Sequence, residues 1–148
     1  MSSEAAPSRR RQTALAVIDS YNKWDFEAIS ALRSEDCVQL ILPQSLGRPP
    51  MNNAEYKAYF SPLMPLFQEF TVTINDLVED EKENKVVMWA KSTATTAIGP
   101  YANEYVIILH MNESGDKIAK FIEFVDSQFS ATFFAKLREH LAQQASSA

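Results

Sequence analysis

The sequence has few of the residues on which metal, disulfide and phosphate sites are built. Its 148 residues include one cysteine, two histidines and three glycines. A lone cysteine cannot form an internal disulfide, and His110 and His140 are too far apart for a zinc-ligand pair. Three scattered glycines provide neither a phosphate-binding loop nor the elbow that presents a nucleophilic serine. We therefore expect no metal, no cofactor and no covalent catalysis.

Long apolar runs and clustered positive charge are also scarce. The formal net charge of -5 argues against non-specific binding of nucleic acid, which depends on clustered Lys and Arg. The first apolar stretch, from Thr13 to Ile18, is interrupted at Asp19 and has no small-residue cleavage site. It is too short for a transmembrane helix and does not resemble a signal peptide. We expect a cytoplasmic protein that binds neither nucleic acid nor membranes.

The composition is typical of one soluble domain. Apolar residues make up 46% of the chain and charged residues 22%, without low-complexity tracts or repeats. A chain of this length closes a single hydrophobic core. We expect a domain over residues 13–141, flanked by flexible tails at 1–12 and 142–148.

The hydrophobic period changes from helical to extended along the chain. Helices are predicted over residues 11–22, after Asp25, and after a capping box formed by Asn52 or Asn53 with Glu55, with a short strand at Cys37–Leu42. The later strands are predicted at 70–78, 85–98, 101–111 and 117–129, and a last helix, capped by Ser130, at 131–141. This order predicts an α+β fold with helices packed on one face of a curved antiparallel sheet.

Glu123 is the least expected residue of the last strand, because it lies within the sequence F-I-E-F-V-D. Removing a carboxylate from water costs several kcal/mol unless a partner compensates or a proton is taken up. Glu123 therefore either points to solvent or has a function.

The register of the last hairpin decides which side chains lie beside Glu123. If Met111 pairs with Ile118, alternation brings Glu104, His110 and Glu123 to the same face of the two strands. Three titratable groups would then share an apolar surface. A slip of one residue would regroup the two strands.

Four segments of the chain together point to a known family. They read Y-N-K-W-D-F-E-A-I, E-Y-K-A-Y-F-S-P-L, G-P-Y-A-N-E-Y-V-I-I-L-H and D-K-I-A-K-F-I-E-F-V-D. In this order the chain resembles the SnoaL-like branch of the NTF2-like superfamily over residues 13–137, and most closely the fungal members found with polyketide and meroterpenoid pathways. The resemblance implies a cone-shaped α+β barrel around one deep pocket, commonly as a homodimer. It also implies cofactor-free acid/base chemistry, although many members lack activity.

The resemblance also suggests site residues. In related enzymes a carboxylate on the last long strand faces the pocket, and Glu123 matches that position. His110 is the expected partner for proton transfer because imidazole titrates near neutrality. Glu104 and Asp126 are further acid/base candidates, or else an exposed carboxylate and a local backbone cap. The expected substrate-binding residues are Trp24, Tyr59, Phe60, Trp89, Tyr105 and Phe121.

The function expected from these features is that of an isomerase or cyclase acting on a bulky, hydrophobic polyketide or meroterpenoid (terpenoid-containing) intermediate of fungal secondary metabolism. A dehydratase or hydrolase using the same pocket is an alternative. A non-catalytic binding or dimerisation module is another, and its sign would be a pocket lined by apolar groups alone, with Glu104, His110 and Glu123 outside.

Overall fold

The computed structural model describes residues 5–147, which form four α-helices, two short 3₁₀ turns and one five-stranded sheet. Helical structure extends into both segments expected to be flexible tails, and residues 1–4 and 148 of those tails lie outside the described residues. The domain limits stay a prediction. In chain order the elements are α1 (Arg9–Asn22), α2 (Phe26–Ala31), β1 (Arg33–Leu42), a 3₁₀ turn (Gln44–Leu46), α3 (Asn53–Phe60), a second 3₁₀ turn (Met64–Leu66), β2 (Gln68–Asp80), β3 (Lys85–Thr96), β4 (Gly99–Met111), β5 (Ile118–Val125) and α4 (Ser127–Ser146).

The strands lie in the order β1-β5-β4-β3-β2, and the predicted antiparallel meander from β2 to β5 is confirmed. The expectation of a wholly antiparallel sheet is wrong in one place, because β1 pairs parallel to β5. The segment containing α3 carries the chain from the β1 edge to the opposite edge before the meander begins. The sheet stays open, and a register shift between Ile74 and Asp76 adds to its curvature.

The helices cover one face of this sheet, as expected for an α+β fold. Val17 and Ile18 of α1 pack in the same core cluster as Met88 and Leu109, whose side chains are fully buried on the inner face of the sheet. Helix α1 begins at Arg9 because the Ser8 hydroxyl accepts a hydrogen bond from the Arg11 N–H at 3.0 Å. Within residues 5–147, no helix combines the length and the apolar character needed to cross a bilayer.

Strand β5 ends earlier than predicted, at Val125. The Asp126 carboxylate accepts a hydrogen bond from the Phe129 N–H at 3.1 Å and caps α4, which begins at Ser127. The predictions of a strand to Phe129 and of a cap at Ser130 are therefore wrong. The first turn of a helix has backbone N–H groups without partners inside the helix. An aspartate just before that turn accepts a hydrogen bond from one of them and so favours the start of the helix at that point. Ser130 is instead buried inside the fold.

The two faces of β4 are expected to differ sharply in their contribution to stability. Leu109 is fully buried on the inner face, whereas Val106 is 41% exposed on the outer face. We predict that Leu109→Ala lowers the free energy of unfolding by about 2 to 5 kcal/mol, because it leaves a cavity in the core. Val106→Ala should cost less than about 1 kcal/mol. Urea denaturation measures both, and equal losses would contradict the assignment of the two faces.

Candidate active site

A cavity of about 330 Å³ lies between the inner face of the sheet and helices α1, α3 and α4. Such a volume is at the lower end of small-molecule sites. Aromatic and aliphatic side chains make up most of its wall, and apart from tyrosines its ionisable groups are Glu123, Arg48 and Arg138. A pocket lined by apolar groups alone would be the sign of a non-catalytic module. The wall of this cavity also carries charged side chains and therefore does not show that sign.

Glu123 belongs to the part of the cavity wall that the sheet provides. Its neighbours across the strands are Ile107 on β4 and Ile41 on β1, so apolar side chains flank the carboxyl on both sides. Burial raises the pKa of the Glu123 carboxyl from its ordinary 4.5 to about 7. The carboxyl can therefore both release and accept a proton near neutral pH.

A buried cation and an amide lie behind this carboxyl. Gln39 is fully buried and Arg33 is 6% exposed. The Arg33 Nη1 donates to Gln39 Oε1 at 2.7 Å, its Nε donates to Asn53 Oδ1 at 2.8 Å, and its guanidinium lies 4.5 Å from the ring centre of Tyr56. The Gln39 amide lies close enough to Glu123 to lower the carboxyl's pKa, although its Nε2 makes no hydrogen bond of good geometry. Gln39 and then Arg33 therefore oppose the larger effect of desolvation.

Two phenols from α1 and α3 form one hydroxyl pair on the cavity wall. The Tyr21 and Tyr56 hydroxyls lie 2.7 Å apart and share one hydrogen bond. Burial raises the pKa of both phenols above their ordinary value, so both stay protonated at neutral pH. Two hydroxyl protons and one mutual hydrogen bond leave one O–H free to donate.

A second hydroxyl cluster runs along β4. The Tyr105 hydroxyl lies 2.7 Å from the Ser92 hydroxyl and 3.0 Å from the Tyr101 hydroxyl, and Asn103 Nδ2 donates to Tyr101 at 2.9 Å and to Ser130 at 3.0 Å. Burial raises the pKa of both phenols, which keeps them neutral. The three hydroxyls share two hydrogen bonds, so this cluster also retains one O–H proton for a further acceptor.

The register of the last hairpin places His110 away from the cavity. The predicted pair of Met111 with Ile118 is confirmed, but the register then shifts by one residue, so that His110 pairs with Lys120 and Ile107 with Glu123. The expectation that Glu104 and His110 share a face with Glu123 is therefore wrong, and both lie on the outer face. There burial, followed by the charges of Lys85 and Lys120, lowers the pKa of His110.

Asp126, Glu104 and Trp89 lie together in a shallow depression on the outer face. The Trp89 Nε1 donates to Glu104 Oε2 at 2.6 Å, and Trp89 is 45% exposed. Asp126 is exposed and caps α4. Neither Asp126 nor Glu104 lines the cavity, and Trp89, expected to bind substrate, does not line it either.

The other residues expected to bind substrate do line the cavity. They are Trp24, Tyr59, Phe60, Tyr105 and Phe121. The Trp24 indole is held in place because its Nε1 donates to the Met64 carbonyl at 2.8 Å and its ring stacks on Phe70 at 4.2 Å between centroids. Their role in binding stays a prediction.

The chain is similar to fungal proteins over most of its length. No family model matches it. It is 37% identical over 125 residues, 84% of this chain and 83% of the relative, to the monooxygenase nsrQ of Aspergillus novofumigatus. It is 32% identical over 134 residues, 88% of this chain and 91% of the relative, to the austinoid biosynthesis clusters protein H of Penicillium brasilianum.

Solved structures agree with these sequence matches. The BvnE pinacolase of Penicillium brevicompactum superimposes with a TM-score of 0.86 at 30% identity, over 94% of this chain and 97% of that one. AusH of Aspergillus nidulans gives a TM-score of 0.77 at 31% identity, over 82% and 88%. A Shewanella denitrificans protein described as a SnoaL-like polyketide cyclase shares the fold, with a TM-score of 0.72 at 14% identity over 88% and 99%. The chain belongs to the same family as these fungal proteins, and its fold is SnoaL-like.

The sequence did not predict several residues that line the cavity of this SnoaL-like protein. Tyr101 and Asn103 alternate with Tyr105 along β4, and this polar alternation in an apolar strand was the available signal. Arg48 and Arg138 gave no signal, because a loop arginine and a helix arginine normally face solvent.

The ionisation of Glu123 should make the stability of the SnoaL-like protein depend on pH. Its pKa is higher in the fold than in the unfolded chain, so the folded state binds the proton more tightly. The contribution of Glu123 is fully present below pH 4.5 and is lost as the pH rises through about 7. We predict that wild type loses about 2 to 3 kcal/mol of unfolding free energy over this window relative to Glu123→Gln. Urea denaturation of both proteins at each pH measures the difference, and parallel pH profiles would contradict it.

Proposed function

We propose that the protein is a cofactor-free acid/base enzyme, an isomerase or cyclase, that acts on a hydrophobic polyketide or meroterpenoid intermediate of fungal secondary metabolism. The observation that carries this proposal is the Glu123 carboxyl, which lines a mostly apolar cavity with a pKa of about 7. Similarity to a pinacolase supports a rearrangement in this cavity.

Glu123 is the proposed proton-transfer group. In its ionised form it removes a proton from carbon next to a carbonyl, or from a hydroxyl whose oxygen becomes the new carbonyl of a rearranged product. In its protonated form it returns that proton to the substrate at another atom. A pKa near the working pH makes both directions accessible to the same carboxyl.

The neutral phenols are the proposed hydrogen-bond donors to the oxygen on which negative charge develops. The spare O–H of the Tyr21–Tyr56 pair and that of the Ser92–Tyr105–Tyr101 cluster both belong to groups that border the same cavity as Glu123. Tyr105 lies diagonally across from Glu123, since its own partner on β5 is Val125. Fixed donors of this kind stabilise an enolate or alkoxide without reorganisation.

A second candidate function comes from the relative named monooxygenase. An enolate formed by Glu123 is electron-rich and can react at carbon with molecular oxygen, and return of the proton then gives a hydroperoxide that keeps both oxygen atoms, so the same base serves either outcome. The mass of the product separates the candidates. Isomerisation or cyclisation leaves the mass unchanged and dehydration lowers it by one water. Reaction with oxygen raises it by two oxygen atoms, or by two oxygen atoms less one water if the hydroperoxide collapses to a carbonyl.

The proposed chemistry predicts that Glu123→Gln lowers turnover by about 10²- to 10⁴-fold, because the amide cannot exchange the proton. The substitution keeps the size of the side chain, so the circular dichroism spectrum should not change. Mass spectrometry of reactions with candidate pathway intermediates provides both the rate and the product mass.

Two outer-face variants are the matched controls for Glu123→Gln. Glu104→Gln and His110→Ala change titratable groups on the same two strands outside the cavity, and both should keep turnover within about twofold. Full activity in Glu123→Gln, or a loss confined to the two controls, would contradict the proposed role of Glu123.

The homodimer and the cytoplasmic location expected from the sequence are also proposals. Trp89, Val106 and Phe124 are direct cross-strand neighbours and form an apolar row on the outer face, with 45%, 41% and 50% of their surfaces exposed. A second copy of the chain would cover this row. We predict that Phe124→Glu converts a dimer to a monomer in light scattering, while Gln143→Glu, on exposed α4, leaves the mass unchanged. A wild-type monomer would contradict the proposal.

A further inference from the structure

The cavity wall carries a charge opposite in sign to that of the whole protein. The chain has a net charge of -5, yet the cavity is lined by two arginines, Arg48 and Arg138, and one carboxyl, Glu123. Glu123 is partly protonated near neutral pH, since its pKa lies at about 7. The cavity is therefore net positive in its empty form, and it would favour a negatively charged ligand.

Arg48 is held over the cavity by its neighbours. Gly47 adopts a left-handed conformation (φ 72°) at the end of the first 3₁₀ turn, and two prolines follow Arg48. The guanidinium lies 5.1 Å from the ring centre of Tyr59 and 5.9 Å from that of Phe134. Contacts with aromatic rings occupy the faces of a guanidinium and leave its N–H groups free to donate at the edge.

Arg138 reaches the same cavity from α4. Ala131, Phe134 and Arg138 follow one another at intervals of three and four residues, and all three line the cavity. Burial raises the pKa of Tyr59, and the charges of Arg48 and Arg138 both oppose this effect. Both guanidinium groups therefore lie near the same phenol. Within residues 5–147 neither arginine forms an ion pair or a side-chain hydrogen bond.

We propose that Arg48 and Arg138 form a binding site for an acidic oxygen group, such as a carboxylate, carried by an otherwise apolar substrate. A guanidinium edge matches the two oxygens of a carboxylate, and the aromatic wall between the arginines and Glu123 takes the apolar body. Anchoring the acidic group at Arg48 and Arg138 directs the other end of the molecule to Glu123. The ligand's identity as the substrate rests on the proposed function, whereas anion binding does not.

Two fluorescent probes of similar shape test this site without knowledge of the substrate. Anilinonaphthalene sulfonate carries one negative charge, and N-phenylnaphthylamine has a related ring system without charge. We expect Arg48→Gln and Arg138→Gln each to weaken binding of the sulfonate by about 5- to 10-fold, because each removes a charge-assisted hydrogen bond in a partly exposed site. Affinity for the neutral probe should stay within about twofold.

Three further variants separate this result from other causes. Arg11→Gln, in an exposed arginine of α1 that does not line the cavity, should leave both affinities unchanged. Arg48→Lys should recover part of the sulfonate affinity, because it restores the charge without the guanidinium edge. Phe124→Ser, on the outer apolar row, should also change neither affinity.

Three results would overturn the proposal. The first is an equal loss of both probes in Arg48→Gln, which would indicate a packing role. The second is unchanged sulfonate binding in the Arg48→Gln/Arg138→Gln double variant. The third is loss of sulfonate binding in Phe124→Ser but not in Arg48→Gln, which would place the probe on the outer face.

The binding experiment with the fluorescent probes does not depend on the proposed chemistry. Glu123→Gln removes the competing negative charge from the cavity, so it should bind the sulfonate at least as tightly as wild type while turnover is lost. Sulfonate binding that depends on Arg48 together with full turnover in Glu123→Gln would reject the proposed role of Glu123 and keep the anion site. The converse result would reject the anion site alone.

Discussion

The position of one unpaired residue in β5 determines which side chains face the cavity. Met111 pairs with Ile118 and His110 pairs with Lys120, so Ala119 has no partner across the strands. Beyond this bulge, odd-numbered residues of both β4 and β5 point inward. Tyr105 and Glu123 are thereby brought into the cavity, and Glu104 and His110 are turned to the outer face. Without the bulge, Glu123 would lie on the same face as Glu104 and His110, and Tyr105 would lie on the opposite face.

Two opposing effects set the ionisation of Glu123. Desolvation alone raises the pKa of a carboxyl, and a salt bridge alone lowers it. In the fold, Gln39 and Arg33 lie behind the carboxyl, and Arg48 contributes more weakly, so the burial effect is offset only in part. Arg33 donates to Gln39 and Asn53 and lies over the ring of Tyr56, and within residues 5–147 it forms no ion pair. The result is a group whose pKa lies close to the pH of the cell.

Periodicity was sufficient to predict the element order and the meander, and the residue types limited the capping box of α3 to Asn52 or Asn53 with Glu55, because these features depend on local sequence. It could not predict the bulge, since Ala119 has no side-chain feature that distinguishes an unpaired residue. The location of Glu123 in a cavity was predictable from its apolar neighbours and from the family resemblance. His110 and Trp89 were misplaced because their orientation depends on register and on neighbouring strands. Arg48 and Arg138 reach the same cavity only through tertiary packing.

The charges in the cavity also couple binding to chemistry. In the empty cavity, the positive charge of Arg48 helps to hold the pKa of Glu123 down. The negative charge of an acidic group bound at Arg48 would offset that positive charge, and its loss would raise the proton affinity of Glu123. The carboxyl therefore becomes a stronger base when an anionic ligand is bound. A neutral ligand of the same shape fills the cavity but leaves the charge of Arg48 in place, so an acidic ligand and a neutral one would leave Glu123 with different pKa values.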